Sequence, residues 1–174
     1  MRVSMDKPVK LFLDENPDVP INLRQEFIRI RKDRLNEREA IVAGSVLNIQ
    51  LSDHLFTAIV ALITRNFPER TIVFVRTKTG CERMEGLLKH FGVKAGQLHG
   101  GLSQTLRIKM LAAFKLQDNL NVLCATDLAA RGLDIEQVKT VINMQMPADM
   151  KSYVHRVGRT ARAGNSGTAI SLVS

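Results

Sequence analysis

The chain has 174 residues, of which 45% are hydrophobic and 24% are charged. That length suits one domain of ordinary size, and that apolar content can bury a core, which excludes global disorder. No stretch approaches the roughly 18 consecutive apolar residues of a transmembrane helix. The acidic, proline-containing first residues do not fit a secretory signal.

The charge balance is basic, with 25 Lys and Arg against 17 Asp and Glu and a net charge of +8. Such an excess favours a polyanionic partner, with nucleic acid ahead of a membrane because no basic amphipathic helix stands out. A solvated surface rich in Lys would give the same total. The distribution favours nucleic acid, since residues 150–174 contain no acid and carry Lys151, Arg156, Arg159 and Arg162.

The first third of the chain predicts an irregular lead-in and then a strand. Residues 1–22 contain Pro8, Pro17 and Pro20 and little periodicity. Residues 25–32 alternate apolar and polar side chains, which predicts a half-exposed edge strand. Helical character follows from about Asn36. A domain covering residues 23–174 is therefore expected after the lead-in.

Strands and helices then alternate. Buried strands are predicted at 71–75, 94–98, 121–126, 138–146 and 168–173. A helix at 80–91 has Gly92 as its stop, and a second helix has Ser103 as its N-cap. The side chains predicted to face inward are Met84, Leu87, Leu88 and Phe91 in the first helix and Leu106, Met110, Leu111 and Phe114 in the second. This order is typical of an α/β fold with a parallel sheet.

Two cysteines, Cys81 and Cys124, lie among apolar neighbours in this pattern. Two residues cannot build a disulfide framework, so we expect buried, reduced thiols in a reducing compartment.

The chemistry of a parallel sheet is expected in the loops that follow the strands, at their carboxyl ends. One such loop reads DLAARGLD over residues 127–134, and a later segment reads HRVGRTARAG over residues 155–164. In the second segment Arg156, Arg159 and Arg162 have helical i,i+3 spacing. Guanidinium groups so arranged can grip phosphates through bidentate forks. A solvated basic helix is the alternative, which His155 and the regularly placed glycines disfavour.

These segments resemble motifs of the DEAD-box RNA helicases. The sequence ATDLAARGLDI (125–135) resembles motif V, and HRVGRTARAG (155–164) resembles motif VI. In the same order stand TIVFVRTKTG (71–80), similar to motif IV, and HGGLSQTLR (99–107), which holds a Gln-x-x-Arg motif. The first strand and the form of motif VI are similar to the nucleolar subgroup that acts in large ribosomal subunit assembly.

The resemblance implies the second RecA-like domain of a two-domain motor, a three-layer α/β/α fold with a parallel central sheet. It implies that Arg159 and Arg162 are arginine fingers that reach the γ-phosphate of ATP. It also implies that Gly132 and Asp134 lie at the nucleotide, with Asp134 on the ribose. Residues implied to contact the RNA backbone are Thr77, Gly80, Gln104, Arg107 and Thr126. Arg131 and His155 would couple the nucleotide cleft to the RNA side.

Parts of an ATPase site are missing from the sequence. No G-x-x-x-x-G-K-[ST] phosphate loop and no Asp-Glu-Ala-Asp run occurs. We therefore expect that this chain alone does not hydrolyse ATP, and that Mg²⁺ is held by the N-terminal domain and by no residue of this chain. The expected partners are RNA and the N-terminal RecA-like domain of the same helicase, with no membrane. We expect a monomer located in the nucleus, in the nucleolus.

Two departures from the family pattern stand out. Ala161 replaces a glycine that many members have in motif VI. The span between the first strand and motif IV is long, and residues 44–58 look like an insertion that adds no chemistry.

Two other functions remain open at this point. The chain could be a non-catalytic RNA- or protein-binding module from a truncated helicase gene, which a parent protein without a phosphate loop would indicate. It could also belong to a helicase branch that acts on DNA. His155 argues against the second, since the related branches have Gln there.

Overall fold

The computed structural model describes residues 19–29, 54–116, 120–130, 135, 138–162 and 164–173. The strands in these ranges are β1 (Leu23–Arg29), β2 (Thr71–Phe74), β3 (Ala95–Leu98), β4 (Val122–Ala125), β5 (Thr140–Asn143) and β6 (Gly167–Val173). The helices are α1 (His54–Arg65), α2 (Lys78–His90), α3 (Gln104–Lys115), α4 (Asp127–Ala130) and α5 (Met150–Val157). None of these helices is long and apolar enough to cross a membrane.

The strands form one six-stranded parallel sheet in the order β1-β6-β5-β2-β4-β3. The central strands β2, β4 and β5 are buried along their whole length, which explains their continuous apolar runs. Strand β1 lies at one edge and is only partly buried, as its alternating sequence predicts. Residues 30–32 of that predicted strand, and the helix expected from Asn36, lie outside the described residues.

One face of the sheet is covered by α1 and α2. Helix α1 contributes Ile59 and Ile63, one helical turn apart, and α2 contributes Met84 and Leu88 in the same spacing. They pack against Val73, Cys124, Ile142 and Ile170 of the sheet. Each of these sheet residues lies on the same side of its strand, because alternate strand residues point to opposite faces.

The other face is covered by α3, α4 and α5. Phe114 of α3 packs with Ile72 and Leu123, and Ala129 of α4 belongs to the same cluster. Helix α5 lies over the β1–β6 edge of the sheet, where Val157 packs with Ala169. Helices on both faces of a parallel sheet confirm the predicted three-layer α/β/α class.

Local signals set several helix ends, and the cap at Ser103 and the stop at Gly92 are as predicted. Ser103 caps α3 by accepting the N–H of Leu106 at 3.3 Å, and Asp149 caps α5 by accepting that of Ser152 at 2.7 Å. Helix α2 ends before Gly92, whose φ of +78° suits glycine. At the carboxyl end of α3, the buried Arg70 donates to the carbonyl oxygen of Phe114 at 2.8 Å, and desolvation lowers the pKa of this guanidinium.

Two inward-facing predictions are wrong. Leu106 is 46% exposed and Phe91 is 43% exposed. In α3 the half-buried Arg107, next to Leu106, takes the place nearer the sheet, because its guanidinium reaches the carbonyl oxygen of Ala129 at 3.3 Å. Phe91 comes after the last residue of α2, at the C-cap, where its ring contacts the ring of His90 edge-on.

The expected buried thiols are confirmed for both cysteines, which are free and inaccessible to solvent. Burial, followed by the charges of Glu82 and Glu85, raises the pKa of Cys81 to about 12. Burial also raises the pKa of Cys124 well above its ordinary value.

Of the proposed insertion at 44–58, residues 54–58 form the beginning of α1, and residues 44–53 lie outside the described residues. The insertion therefore stays a prediction, as do the boundaries of the lead-in at 1–22 and of the domain at 23–174.

Candidate functional site

The segments that resemble helicase motifs IV, V and VI and the Gln-x-x-Arg motif lie mainly in the loops after β2, β3, β4 and β5 and in the helices that follow. Because the strands are parallel, these loops leave the sheet at the same edge. The predicted residues Thr77, Gly80, Gln104, Arg107 and Thr126 are thus brought to one side of the molecule, where a ligand of an open α/β sheet normally binds.

After β2, Thr77 and Gly80 form the beginning of α2. Thr77 is the N-cap, and its hydroxyl accepts the N–H of Gly80 at 3.1 Å. A side-chain carbon on Gly80 would lie 2.7 Å from Cγ1 of Val75 and 3.0 Å from the Thr77 hydroxyl. This close approach of the helix to the strand end requires glycine, so local packing accounts for Gly80 whatever its role with RNA.

After β3, a buried histidine shapes the loop that leads to Gln104 and Arg107. Nδ1 of His99 accepts the N–H of Gly101 at 3.1 Å, and Nε2 lies 2.9 Å from Oε1 of Gln97. With Nδ1 as the acceptor, Nε2 is the ring nitrogen that donates to Gln97. The loop that begins α3 is thereby fixed from inside the protein.

Gln104 and Arg107 lie one turn apart on α3, and Arg107 connects them to the loop after β4. The guanidinium of Arg107 donates to Oε1 of Gln104 at 3.4 Å and to the carbonyl oxygen of Ala129 at 3.3 Å. Ala129 lies three residues after Thr126, whose carbonyl accepts the Ala129 N–H at 3.1 Å. The structure therefore places three of the predicted RNA contacts, Gln104, Arg107 and Thr126, next to each other.

Arg156 has a different position from the one predicted. It was expected to grip phosphate together with Arg159 and Arg162, but its side chain is only 6% exposed and makes four hydrogen bonds inside the domain. The Nε and one terminal nitrogen donate to the two carboxylate oxygens of Asp127 at 2.5 and 2.7 Å. The other terminal nitrogen donates to Oδ1 of Asn143 and to the carbonyl oxygen of Gln145.

This bidentate pair joins the two segments that carry the predicted chemistry. Asp127 is the first residue of α4, directly after Thr126, and Arg156 is near the end of α5. The guanidinium also lies over the ring of Phe74, 5.1 Å from its centre. A guanidinium whose three nitrogens all donate inside the domain is a structural connection between motifs V and VI.

Arg159 and Arg162 follow α5 in a segment with unusual backbone geometry. The Nε of Arg159 donates to the carbonyl oxygen of His155, and that of Arg162 donates to the carbonyl oxygen of Gly158. Arg159 is half-buried, whereas Arg162 and His155 are exposed. Both arginines thus follow the end of one short helix, on either side of Thr160, which lies beside Val138 before the amino end of β5.

The end of motif VI is fixed by Thr160 and Gly167. The hydroxyl of Thr160 donates to the carbonyl oxygen of Val138 at 2.6 Å. A side-chain carbon on Gly167 would lie 2.1 Å from that hydroxyl oxygen. Between them Ala161 has a φ of +56°, a conformation that favours glycine. This positive φ explains why many family members have glycine at this position.

Three of the predicted residues, Arg131, Gly132 and Asp134, lie outside the described residues. Their roles at the nucleotide and between the two sites stay predictions. Among the residues that the structure describes, no group of three or more His, Cys, Asp or Glu side chains could hold a metal ion.

Sequence patterns did not predict the two polar residues, Asn143 and Asp127, that accept hydrogen bonds from the side chain of Arg156. Asn143 is fully buried at the end of β5, where it donates to the hydroxyl of Ser171 at 3.0 Å and accepts from Arg156 at 3.1 Å. A signal was present, since an asparagine in the otherwise apolar run VINM needs a buried partner. The sequence signal at Asp127 was weaker, because an acid in the first turn of a helix is already explained by its favourable interaction with the helix dipole.

The fold and the arrangement of these motifs define the second RecA-like domain of a helicase. The family model described as the helicase conserved C-terminal domain matches residues 54–164. The chain belongs to this family, and within it to the DEAD-box proteins.

Relatives and solved structures agree with this assignment. The chain is 50% identical over 171 residues to the human protein named probable ATP-dependent RNA helicase DDX27, covering 98% of this chain and 20% of that protein. It is 40% identical to the ATP-dependent RNA helicase DRS1 of Pyricularia oryzae, again over 20% of that protein. The crystal structure of the E. coli DEAD-box protein SrmB bound to regulator of ribonuclease activity A is similar, with 40% identity and a TM-score of 0.64 over 70% of this chain and 71% of that chain. The chain spans about one fifth of the length of these curated relatives.

Proposed function

We propose that this chain is the C-terminal half of an ATP-dependent RNA helicase. In the intact protein it would close on an N-terminal RecA-like domain when ATP and RNA are bound. It would then contribute Arg159 and Arg162 to ATP hydrolysis, and closure would strain one strand of a short duplex until the strands separate.

The observation that carries this proposal is the Asp127–Arg156 pair. It holds the end of β4, with the RNA candidate Thr126, against the helix that leads to the two candidate fingers. A motor of this kind needs its RNA contacts and its phosphate contacts to move as one body. A bidentate pair between the two segments meets that need, because its two parallel hydrogen bonds fix the orientation of the guanidinium relative to the carboxylate.

The role of the arginines follows from the charge of phosphoryl transfer. Negative charge is spread over the oxygens of the transferred group, and a guanidinium that reaches it stabilises the transition state by about 10³- to 10⁵-fold in rate. Arg159 and Arg162 carry this proposal because Arg156, the other arginine in the row, is occupied by Asp127 and Asn143.

RNA binding is proposed through the sugar-phosphate backbone. The polar candidates Thr77, Gln104, Arg107 and Thr126 lie at one edge of the sheet, and none of them is an aromatic residue on which a base could stack. Contacts of this type bind RNA without sequence preference and weaken as salt rises.

The rest of the ATP site is proposed to lie outside this chain. A phosphate loop and the acids for Mg²⁺ would come from the N-terminal domain, which fits a chain that spans one fifth of its relatives. Assembly of the large ribosomal subunit in the nucleolus is proposed from the subgroup resemblance of the first strand and motif VI.

The test is RNA-stimulated ATP turnover in two proteins. One is the 174-residue chain, and the other is a fusion that places the first RecA-like domain of human DDX27 ahead of it. We expect no turnover by the chain alone, turnover by the fusion, and a loss of at least about 10³-fold in the Arg159→Ala fusion. Lys139→Gln, which removes only an exposed ion pair with Glu69, is the matched control and is expected to leave turnover unchanged.

Other outcomes would contradict the proposal. Turnover by the chain alone that survives repurification would mean that it holds a phosphate site of its own. A folded fusion that binds RNA but does not turn over ATP would favour the non-catalytic binding module. A fusion unaffected by Arg159→Ala would remove this arginine from the reaction.

A further inference from the structure

Helix α5, which leads to the candidate fingers, is attached to the edge strand β1 by a side-chain contact. The hydroxyl of Tyr153 donates to Oε1 of Gln25 at 2.7 Å. The ring of Tyr153 stacks on Phe27, with 6.4 Å between the ring centres. Tyr153 is 3% exposed, and burial raises the pKa of its hydroxyl although a hydrogen bond with Ser171 lowers it. The neutral hydroxyl is thus held between β1 and β6.

A second contact ties the segment before β1 to the end of motif VI. The side-chain amide of Asn22 donates to the carbonyl oxygen of Gly164 at 3.0 Å, and the carbonyl of Asn22 accepts the N–H of Gly167 at 3.2 Å. Gly164 has a φ of +80°, so the turn at this point depends on glycine. The two contacts enclose Arg159 and Arg162 along the chain, one before them and one after them.

Through these contacts β1 and the residue before it hold parts of motif VI in place as well as extending the sheet. As an edge strand it has one strand partner, β6. Gln25 contacts α5 through Tyr153, and Asn22 contacts the turn at Gly164. A displacement of β1 would therefore shift the helix that precedes the arginines and the turn that follows them.

We propose that Gln25 and Tyr153 are positioning residues for the arginine fingers, and that with Asn22 they link the segment preceding β1 to motif VI. This inference rests on the proposed function of Arg159 and Arg162. In the intact protein the segment preceding β1 would lead from the N-terminal domain. A movement of that domain would then be transmitted to Arg159 and Arg162 through the covalent chain as well as across the cleft between the two domains.

The experiment compares Tyr153→Phe, Gln25→Leu and the double variant with Thr71→Val. Tyr153→Phe removes one buried hydroxyl and keeps the ring on Phe27. Thr71→Val also removes one buried hydroxyl, which donates to the carbonyl oxygen of Phe67 at 2.9 Å, but on β2, which is separated from β6 by β5. Both variants cost a buried hydrogen bond, and only the first concerns the proposed link.

Two readouts are needed, and neither is the global free energy of unfolding. In the fusion with the first RecA-like domain, kcat and KM for ATP are measured at saturating RNA. We expect Tyr153→Phe to lower kcat about tenfold with little change in KM, because misplacement of a group that acts in the transition state affects kcat. The double variant should be no worse than either single variant. Thr71→Val should keep the wild-type kcat.

In the 174-residue chain alone, amide hydrogen exchange is measured over residues 158–162. Tyr153→Phe should speed exchange in this segment about tenfold, and Thr71→Val should not. This readout does not depend on ATP turnover, so it separates the inference from the proposed function.

Two results would overturn the inference. One is a Tyr153→Phe fusion whose kcat stays within twofold of wild type while Arg159→Ala abolishes turnover, which would leave the fingers in place and remove the link. The other is unchanged exchange over 158–162 in both Tyr153→Phe and Gln25→Leu.

Discussion

Removal of Asp127 tests whether the connection between motifs V and VI holds the domain together. In Asp127→Ala the guanidinium of Arg156 keeps its bonds to Asn143 and Gln145, but its Nε and one terminal nitrogen lose their acceptors. The side chain of Arg156 is 6% exposed, so little water can replace the carboxylate from that side. A charged group with unpaired donors is left near the sheet.

The magnitude follows from how deeply the pair is buried. Breaking a fully buried ion pair by removing one partner costs about 3–5 kcal/mol. The side chain of Asp127 is 37% exposed, which lets water reach part of the vacated site and reduces the cost to about 2–3 kcal/mol. In a domain of this size, 1 kcal/mol corresponds to about 2–4 °C in Tm, so we expect Tm to fall by about 5–10 °C.

The assays are urea unfolding, which gives the free energy of unfolding, and thermal unfolding, which gives Tm; both follow the circular dichroism of the 174-residue chain, with Glu69→Ala as the control. Glu69 pairs with Lys139 at 3.2 Å, but both side chains are more than 60% exposed, and such a pair contributes about 0–1 kcal/mol. Asp127→Asn, which keeps one acceptor oxygen, should lie between the two. If Asp127→Ala cost no more free energy of unfolding than Glu69→Ala, the pair would not hold the motif VI helix in place.

Three further predictions concern glycines and thiols. Gly167→Ala should lower the free energy of unfolding by about 2–3 kcal/mol, since its new carbon would lie 2.1 Å from the Thr160 hydroxyl oxygen; a normal Tm would refute the close approach. Gly86→Ala, on a helix with nothing within 4 Å of the new carbon, should instead raise it by about 0.5–1 kcal/mol. Because the pKa of Cys81 is about 12 in the folded chain against an ordinary 9.0, the unfolded chain loses this proton first. The unfolding free energy should therefore be undiminished below pH 9 and fall as pH rises toward 12, and Cys81→Ala should show a smaller fall between pH 8 and pH 10; an equal fall in both proteins would contradict the burial argument.

Periodicity predicted the order of elements well, because buried parallel strands and amphipathic helices leave simple patterns. The apolar run at 71–75 and the capping serine Ser103 are examples in which the local signal and the final structure agree. Leu106 shows the limit of this reasoning. Its apolar side chain fits the helical pattern, but the neighbouring Arg107 takes the inner position because it has a carbonyl acceptor on α4.

Arg156 shows the same limit at the site. Its i,i+3 spacing to Arg159 groups the arginines together, yet spacing cannot reveal that a carboxylate on another helix is 2.5 Å from its Nε. The partner lies 29 residues away in the sequence, and only the sheet order brings β4 and α5 into contact range. Contacts that depend on strand order, such as Tyr153 with Gln25 across 128 residues, could not be predicted from the sequence.

The structure also explains why glycine is needed at particular positions, which the sequence alone could not show. Gly80 and Gly167 are required by close contacts, with 2.7 Å and 2.1 Å to the nearest atoms of a would-be side chain. Ala161 departs from the common glycine and occupies the same left-handed conformation, at φ +56°.

The central claim is that this chain is half of a motor that separates RNA strands, and strand separation by the fusion protein tests it most directly. A short RNA duplex with a fluorescent strand is mixed with the fusion, with the Arg159→Ala fusion and with the 174-residue chain. The account predicts ATP-dependent release of the strand by the first protein only. Equal release by the Arg159→Ala fusion, or release by the chain alone, would contradict it.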